Sequence, residues 1–145
     1  MDNIIFKIIS YNTPEYKASI SLREEIILKP LGLVFLPEEL EKERSHTYFA
    51  GFKNDEVVAT SLLAHEGENC KMQRVVVKTN LQYCGIGSNM MLFFEKYAKV
   101  QGFKSIYCYA RDSAVGFYLK HNYIPEGEYF DIDTIQHIQM RKILK

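Results

Sequence analysis

Residues 75 to 88 constrain the fold of this 145-residue chain more than any other stretch. Three valines in succession, Val75-Val76-Val77, lead through a short link into Gln82-Tyr83-Cys84-Gly85-Ile86-Gly87. An amphipathic run starts there, with Ile86, Met90, Phe93, Phe94 and Tyr97 recurring at helical spacing. A strand that ends, turns through glycines and enters a helix points backbone N–H groups at one spot, where the helix dipole also favours negative charge. Gly85 and Gly87 let the main chain adopt positive φ and let a phosphate approach the amides, and Gln82 adds a side-chain donor. Two other phosphate loops fail to match. A Walker A loop needs Lys and Ser/Thr after its glycine, where Gly87 is followed by Ser88 and Asn89, and Met90 stands where a dinucleotide fingerprint needs its third glycine.

The flanking periodicities supply the rest of a domain. Residues 3–10 read as a strand, and Asn12-Thr13-Pro14 break it, with Thr13 suited to cap a helix that begins at Pro14. Ile20, Leu22, Ile26 and Ile27 keep helical spacing until Pro30. A short helix from Pro37 carries the charged run Glu38 to Arg44, which reads as a solvated face. From residue 47 the period becomes two, and Asn54-Asp55 suits a tight turn between strands 47–53 and 56–65. The run 70–78 ends in the valines, an apolar stretch suited to a central strand covered on both faces. On the following helix Glu95, Lys96 and Lys99 fall on the wetter side, Glu95 and Lys99 in favourable i,i+4 order, and Gly102 stops it. Strand 105–110, helix 113–121 and strands 123–130 and 135–143 complete the order β, α, α, β, β, β, α, β, α, β, β. A mixed sheet with helices on both sides, formed as one domain over residues 1–145, is the expected solution.

Composition narrows the function classes. Lys plus Arg and Asp plus Glu are 18 each, so no global field attracts nucleic acid or an anionic membrane, and any anion site is local. No apolar run approaches the ~20 residues of a membrane span, and Asp2 and Lys7 interrupt the apolar start. Cys70, Cys84 and Cys108 follow no CxxC spacing, which argues against a disulfide framework or a zinc site and for a reducing cytoplasm. Cys84 stands out because a helix N-terminus lowers a thiol pKa.

With Val75-Val76-Val77 and Leu81 to Gly87, the downstream run Ala114, Phe117, Tyr118, Lys120 and Tyr123 closely resembles the GNAT superfamily of N-acetyltransferases. The signature Gln/Arg-x-x-Gly-x-Gly/Ala is met by Gln82, Gly85 and Gly87, and Ala-x-x-Phe-Tyr-x-Lys-x-x-Tyr follows at the expected distance. The resemblance covers residues 46 to 143 well. Before that, Leu22-Arg23 resembles a pair common in the family, in the region that shapes its acceptor pocket. It implies an α/β (α+β) fold: a mixed, mostly antiparallel sheet of about seven strands, splayed between the fourth and fifth, flanked by about four helices.

The implied activity moves an acetyl group from acetyl-CoA to a primary amine, on a small molecule or a protein or peptide, by direct attack in a ternary complex. The alternative is a non-catalytic acyl-CoA-binding or regulatory module. Cofactor contacts carry over to the main chain of Val75 and Val77 and to Gln82, Tyr83, Cys84, Gly85, Ile86, Gly87 and Ser88, because a pantetheine arm can be read as an added strand. Tyr118 matches the tyrosine that protonates the departing thiolate, and a main-chain N–H near Val75 is expected at the oxyanion. For the general base the candidates are Glu66 or His65, which alternate in one strand, and His137 on the last strand. Arg111 stands where many members have Asn, which leaves a cofactor contact there open. No metal is implied, a homodimer is left open, and the acceptor is not specified.

Overall fold

The computed structural model describes residues 4–81 and 85–144, and among these seven strands and four α-helices follow the order anticipated above. They are β1 (Ile5–Ile9), α1 (Pro14–Arg23), α2 (Pro37–Lys42), β2 (Thr47–Lys53), β3 (Glu56–Glu66), β4 (Asn69–Val77), α3 (Ile86–Val100), β5 (Ser105–Arg111), α4 (Val115–Lys120), β6 (Ile124–Ile132) and β7 (Ile135–Ile143). The strands make one mixed sheet in the order β1-β2-β3-β4-β5-β7-β6, so β4 is central. β4 and β5 run parallel over three register pairs, Asn69↔Ser105 to Lys71↔Tyr107. The β1–β2, β2–β3, β5–β7 and β6–β7 pairs are antiparallel. Tertiary contacts divide the described residues into two compact units: one reaches Ala64 and resumes from Arg74 to Phe94, and the other takes in His65–Gln73 and the chain from Glu95.

In the first unit local chemistry starts the elements as anticipated. Thr13 Oγ1 accepts the Tyr16 N–H at 3.2 Å and Pro14 occupies the first turn of α1. The helical path does not stop at Pro30. A π-helical stretch, Glu24–Leu28, and a 3-10 turn, Lys29–Leu31, carry it on to Gly32 at φ 69°. Proline is tolerated there because it opens a new turn, where its missing N–H has no acceptor to lose. Asn54 and Asp55 both adopt positive φ, 51° and 65°, which matches a type I′ turn between β2 and β3.

Strand alternation then builds two apolar faces. Tyr48 and Ala50 join Ile9, Tyr16 and Leu22 in one cluster, whereas Phe49 meets Phe93 and Phe94 of α3 at ring distances of 5.7 and 5.8 Å. Gly51 lies on the Phe49 face, where an added Cβ would stand 2.8 Å from the Phe6 ring, so only glycine allows that approach. Of the valine triplet Val76 alone is buried, while Val75 and Val77 are half-buried, so β4 is central without being covered on both faces.

The charged run after Pro37 is not simply solvated. Glu43, just beyond α2, is buried and clasps Arg23, which is 0% exposed, through two bonds of 2.9 Å. The Arg23 guanidinium also lies 4.7 Å over the Phe35 ring. Tyr48 donates its hydroxyl to the Glu43 carbonyl at 2.6 Å.

In the second unit Gly102, at φ 88°, ends α3, its N–H bonding the Lys99 carbonyl at 3.0 Å. Glu95 is 7% exposed rather than wet. It accepts the Tyr123 hydroxyl at 2.8 Å and Lys142 Nζ at 2.9 Å, so its cation is Lys142 on β7 and not Lys99. β6 borders only β7, and its register breaks between Glu126 and Phe130, where Gly127 adopts φ 78°.

Removing one partner of a buried ion pair strands the other charge. Glu43→Ala is therefore expected to lower the unfolding free energy by about 3–5 kcal/mol, to be read from chemical denaturation. A loss below about 1 kcal/mol would show that solvent reaches Arg23.

Candidate active site

The described donor-side residues fall in the first unit. Gly85 takes φ 79° and an added Cβ there would meet nothing within 4 Å, so the backbone beside it is open to an approaching group. The Asn89 N–H bonds the Gly85 carbonyl at 3.1 Å, which starts the ladder of α3 at Gly85. Ile86, Gly87 and Ser88 thus form the first turn, the end toward which a helix directs its N–H groups. Ile86 itself is buried, so its side chain anchors the turn. Gln82, Tyr83 and Cys84 lie outside the described residues.

β4 carries a feature that no sequence pattern announced. Arg74, in the middle of the strand, has φ 54°, a left-handed backbone that costs a non-glycine residue roughly 1–2 kcal/mol. It immediately precedes Val75, whose main chain is one of the anticipated donor contacts. Arg74 Nε stands 3.6 Å from Glu43 Oε2, the oxygen that also receives Arg23.

Tyr118, Glu66, His65 and His137 belong to the second unit. Tyr118 is fixed where α4 ends. Its carbonyl accepts the N–H groups of His121 and Tyr123, each at 3.0 Å, and Asn122 turns the chain through φ 71° so that the Tyr123 ring packs 5.5 Å from the Tyr118 ring. The Tyr118 side chain is 7% exposed and its hydroxyl hydrogen-bonds the Cys108 side chain. Burial raises the Tyr118 pKa well above 10.0, with Cys108 adding to the rise. Burial also pushes the Cys108 thiol up to about 12.

The base candidates sit on the other face of β5. Ile106, Cys108 and Ala110 point to the Tyr118 side, whereas Tyr107, Tyr109 and Arg111 alternate away and pair with Arg141, Gln139 and His137. Glu66 accepts the Tyr107 hydroxyl at 2.5 Å, and burial followed by this bond raises the Tyr107 pKa. His137 is buried, stacks on Phe130 at 6.2 Å, and its Nδ1 is 2.7 Å from the Ile135 carbonyl. A carbonyl only accepts, so Nδ1 carries a proton, and in the neutral tautomer this leaves the lone pair on Nε2. His65 points elsewhere, with its ring 5.1 Å from Phe103. Glu66 and His137 therefore share a face that Tyr118 does not.

Sequence patterns did not reveal the rest of that face. Lys71 Nζ lies 3.8 Å over Tyr109, Arg141 4.9 Å over Tyr107, and Tyr109 meets Phe130 at 5.1 Å. The i,i+2 spacing of Tyr107 and Tyr109 is the one pattern in the sequence that could have found it. Among the described residues no group of three or more His, Cys, Asp or Glu could hold a metal ion, and no helix is long and apolar enough to cross a membrane.

A family model described as acetyltransferase (GNAT) family matches residues 11–123, and the chain belongs to that family. It is an N-acetyltransferase by class. Solved structures agree on the fold. A candidate N-acetyltransferase from Lactobacillus plantarum is 20% identical with a TM-score of 0.86, over 99% of this chain and 98% of that one. An acyl-CoA N-acyltransferase from Pseudomonas aeruginosa is 17% identical with a TM-score of 0.82, over 98% and 99%. An aminoglycoside 6'-N-acetyltransferase complexed with coenzyme A is 17% identical with a TM-score of 0.80, over 97% of each chain.

Cys70 and Cys108 are both buried with thiols raised to about 12, so at pH 8 roughly one molecule in ten thousand carries either thiolate. Iodoacetamide is expected to leave both unmodified in the folded protein and to label both in denaturant, as mass spectrometry of peptides would show. Rapid native labelling of Cys108 would contradict the enclosed setting of Tyr118.

Proposed function

We propose that this protein moves the acetyl group of acetyl-CoA to a primary amine by direct attack in a ternary complex. The observation that carries the reading is Gly85: a left-handed glycine with open space at its Cβ position, starting a 15-residue helix downstream of β4, in a chain of the GNAT family. Such a turn suits a pyrophosphate. The residues proposed to hold the donor are Gln82, Tyr83, Cys84, Gly85, Ile86, Gly87 and Ser88 for the pyrophosphate, and the main chain of Val75 and Val77 for the pantetheine. The coenzyme A bound by the aminoglycoside acetyltransferase of the same fold supports the choice of donor. The acceptor class proposed is an amine of a small molecule or a peptide.

The chemistry needs three proton or charge tasks. The amine nitrogen attacks the thioester carbonyl carbon, the oxygen takes up negative charge near the Val75 N–H, and the C–S bond then breaks. Tyr118 supplies the proton for the departing thiolate. Its raised pKa keeps that proton in place across the working pH range, and transfer to a thiolate occurs only as the charge develops. His137 is the preferred base because its tautomer leaves Nε2 as an acceptor, while the Glu66 carboxylate already accepts Tyr107. Tyr118 lies on the α4 side of β5 and His137 on the opposite side.

Release of free thiol from acetyl-CoA, followed over a panel of amines, is the primary test. Tyr118→Phe is expected to lower kcat about 10²–10³-fold with little change in acetyl-CoA affinity. In the wild type kcat should show no alkaline fall up to pH 10, because burial keeps Tyr118 protonated there. An alkaline fall that Tyr118→Phe abolishes would show that Tyr118 ionises in the assay range. Tight donor binding without turnover on any amine would favour the non-catalytic acyl-CoA module instead.

A further inference from the structure

The left-handed backbone at Arg74 has to be held by something. Strand interiors seldom contain a non-glycine residue at φ 54°, and arginine has no local side-chain bond of the kind that lets Asn or Asp tolerate it. Its charged partner lies beyond the strand. Glu43 Oε2 is 3.6 Å from Arg74 Nε, and Glu43 is itself immobilised by the two bonds to Arg23, a side chain with no solvent exposure. Tyr48 adds a third restraint through the Glu43 carbonyl. The Glu43 carboxylate is thus fixed by the Arg23 fork, whereas the Arg74 side chain is 47% exposed.

We infer that Glu43 is a positioning residue of the transfer reaction, which by drawing Arg74 toward itself keeps the left-handed turn in β4 that sets the direction of the Val75 main chain. This rests on the proposal that Val75 contacts the donor. Glu43 touches no reacting atom in this scheme. It acts through Arg74, and Arg23 acts through Glu43. The chain thereby links α1 and the end of α2 to the strand that would meet the thioester. An Arg74 freed from Glu43 would relax toward the ordinary extended region, and the next peptide plane would turn with it.

Two substitutions separate this role from a general loss of charge. Arg74→Ala removes the guanidinium and keeps a Cβ that opposes the left-handed backbone, whereas Arg74→Gly removes the guanidinium and adopts that backbone freely. Acetyl-CoA binding would be measured by calorimetry, with the Val75 amide resonance followed on the same samples. The expected result is a Val75 shift on acetyl-CoA addition to wild type, about tenfold weaker binding in Arg74→Ala, and recovery to within about threefold of wild type in Arg74→Gly. Failure of Arg74→Ala to fold while Arg74→Gly folds points the same way. Equal affinity in Arg74→Ala and wild type, or Arg74→Gly as weak as Arg74→Ala, would overturn the positioning role. A wild-type protein whose Val75 amide ignores acetyl-CoA would instead remove the donor assignment, and the role of Glu43 with it.

Discussion

A guanidinium that no solvent reaches must be neutralised where it stands, and the N-terminal half of this protein is arranged around that requirement at Arg23. Two parallel bonds to the Glu43 carboxylate occupy the end of its fork, and the Phe35 ring covers one face of its plane. Glu43 can be in reach only if the chain leaves α1 through tight turns, reverses at Gly32 and ends α2 on time. The π-helical stretch and the 3-10 turn around Pro30 are the local means by which one helix is followed so closely by the next. A charge in the core thus fixes the path of a connection whose own sequence is only weakly patterned.

Features governed by near neighbours in the chain are legible in the amino-acid sequence. Thr13-Pro14 caps a helix and Asn54-Asp55 turns a hairpin because each needs only its own few residues. Gly102 stops α3 for the same reason. Charged residues that pair across the fold are not legible in this way. Glu95 sits among charged neighbours on an amphipathic helix and reads as wet, yet its partners lie 28 and 47 residues away. Glu43 lies 20 residues from Arg23 in a run that looks uniformly solvated. Amphipathic patterning treats every charge as exposed, so it fails wherever a charge finds a partner distant in sequence.

The candidate site divides along the same line. Gly85, Ile86, Gly87 and Ser88 form a contiguous motif, and Tyr118 follows in a second one, so both could be named from the sequence. The left-handed Arg74 could not, because nothing in Gln73-Arg74-Val75 distinguishes it from ordinary strand. Nor could the tautomer of His137, which depends on a carbonyl two residues earlier being turned toward its ring. Strand alternation did place His137 opposite Ile138, and β5 extends that rule: one strand offers an enclosed thiol to a phenol on one side and two tyrosines to cations on the other.

β6 borders one neighbour only and so leaves a row of main-chain donors and acceptors facing outward. Its sequence is poorly suited to receive another strand. Pro125 lacks an N–H, Gly127 breaks the register, and Glu128 and Asp131 give the same stretch a negative character, while Glu126 is paired with Arg141. A second copy of this edge approaching it would meet an interrupted ladder and like charge. The irregularity of β6 thereby guards the sheet against growing from molecule to molecule, a protection against aggregation that a longer and more regular last hairpin would forfeit.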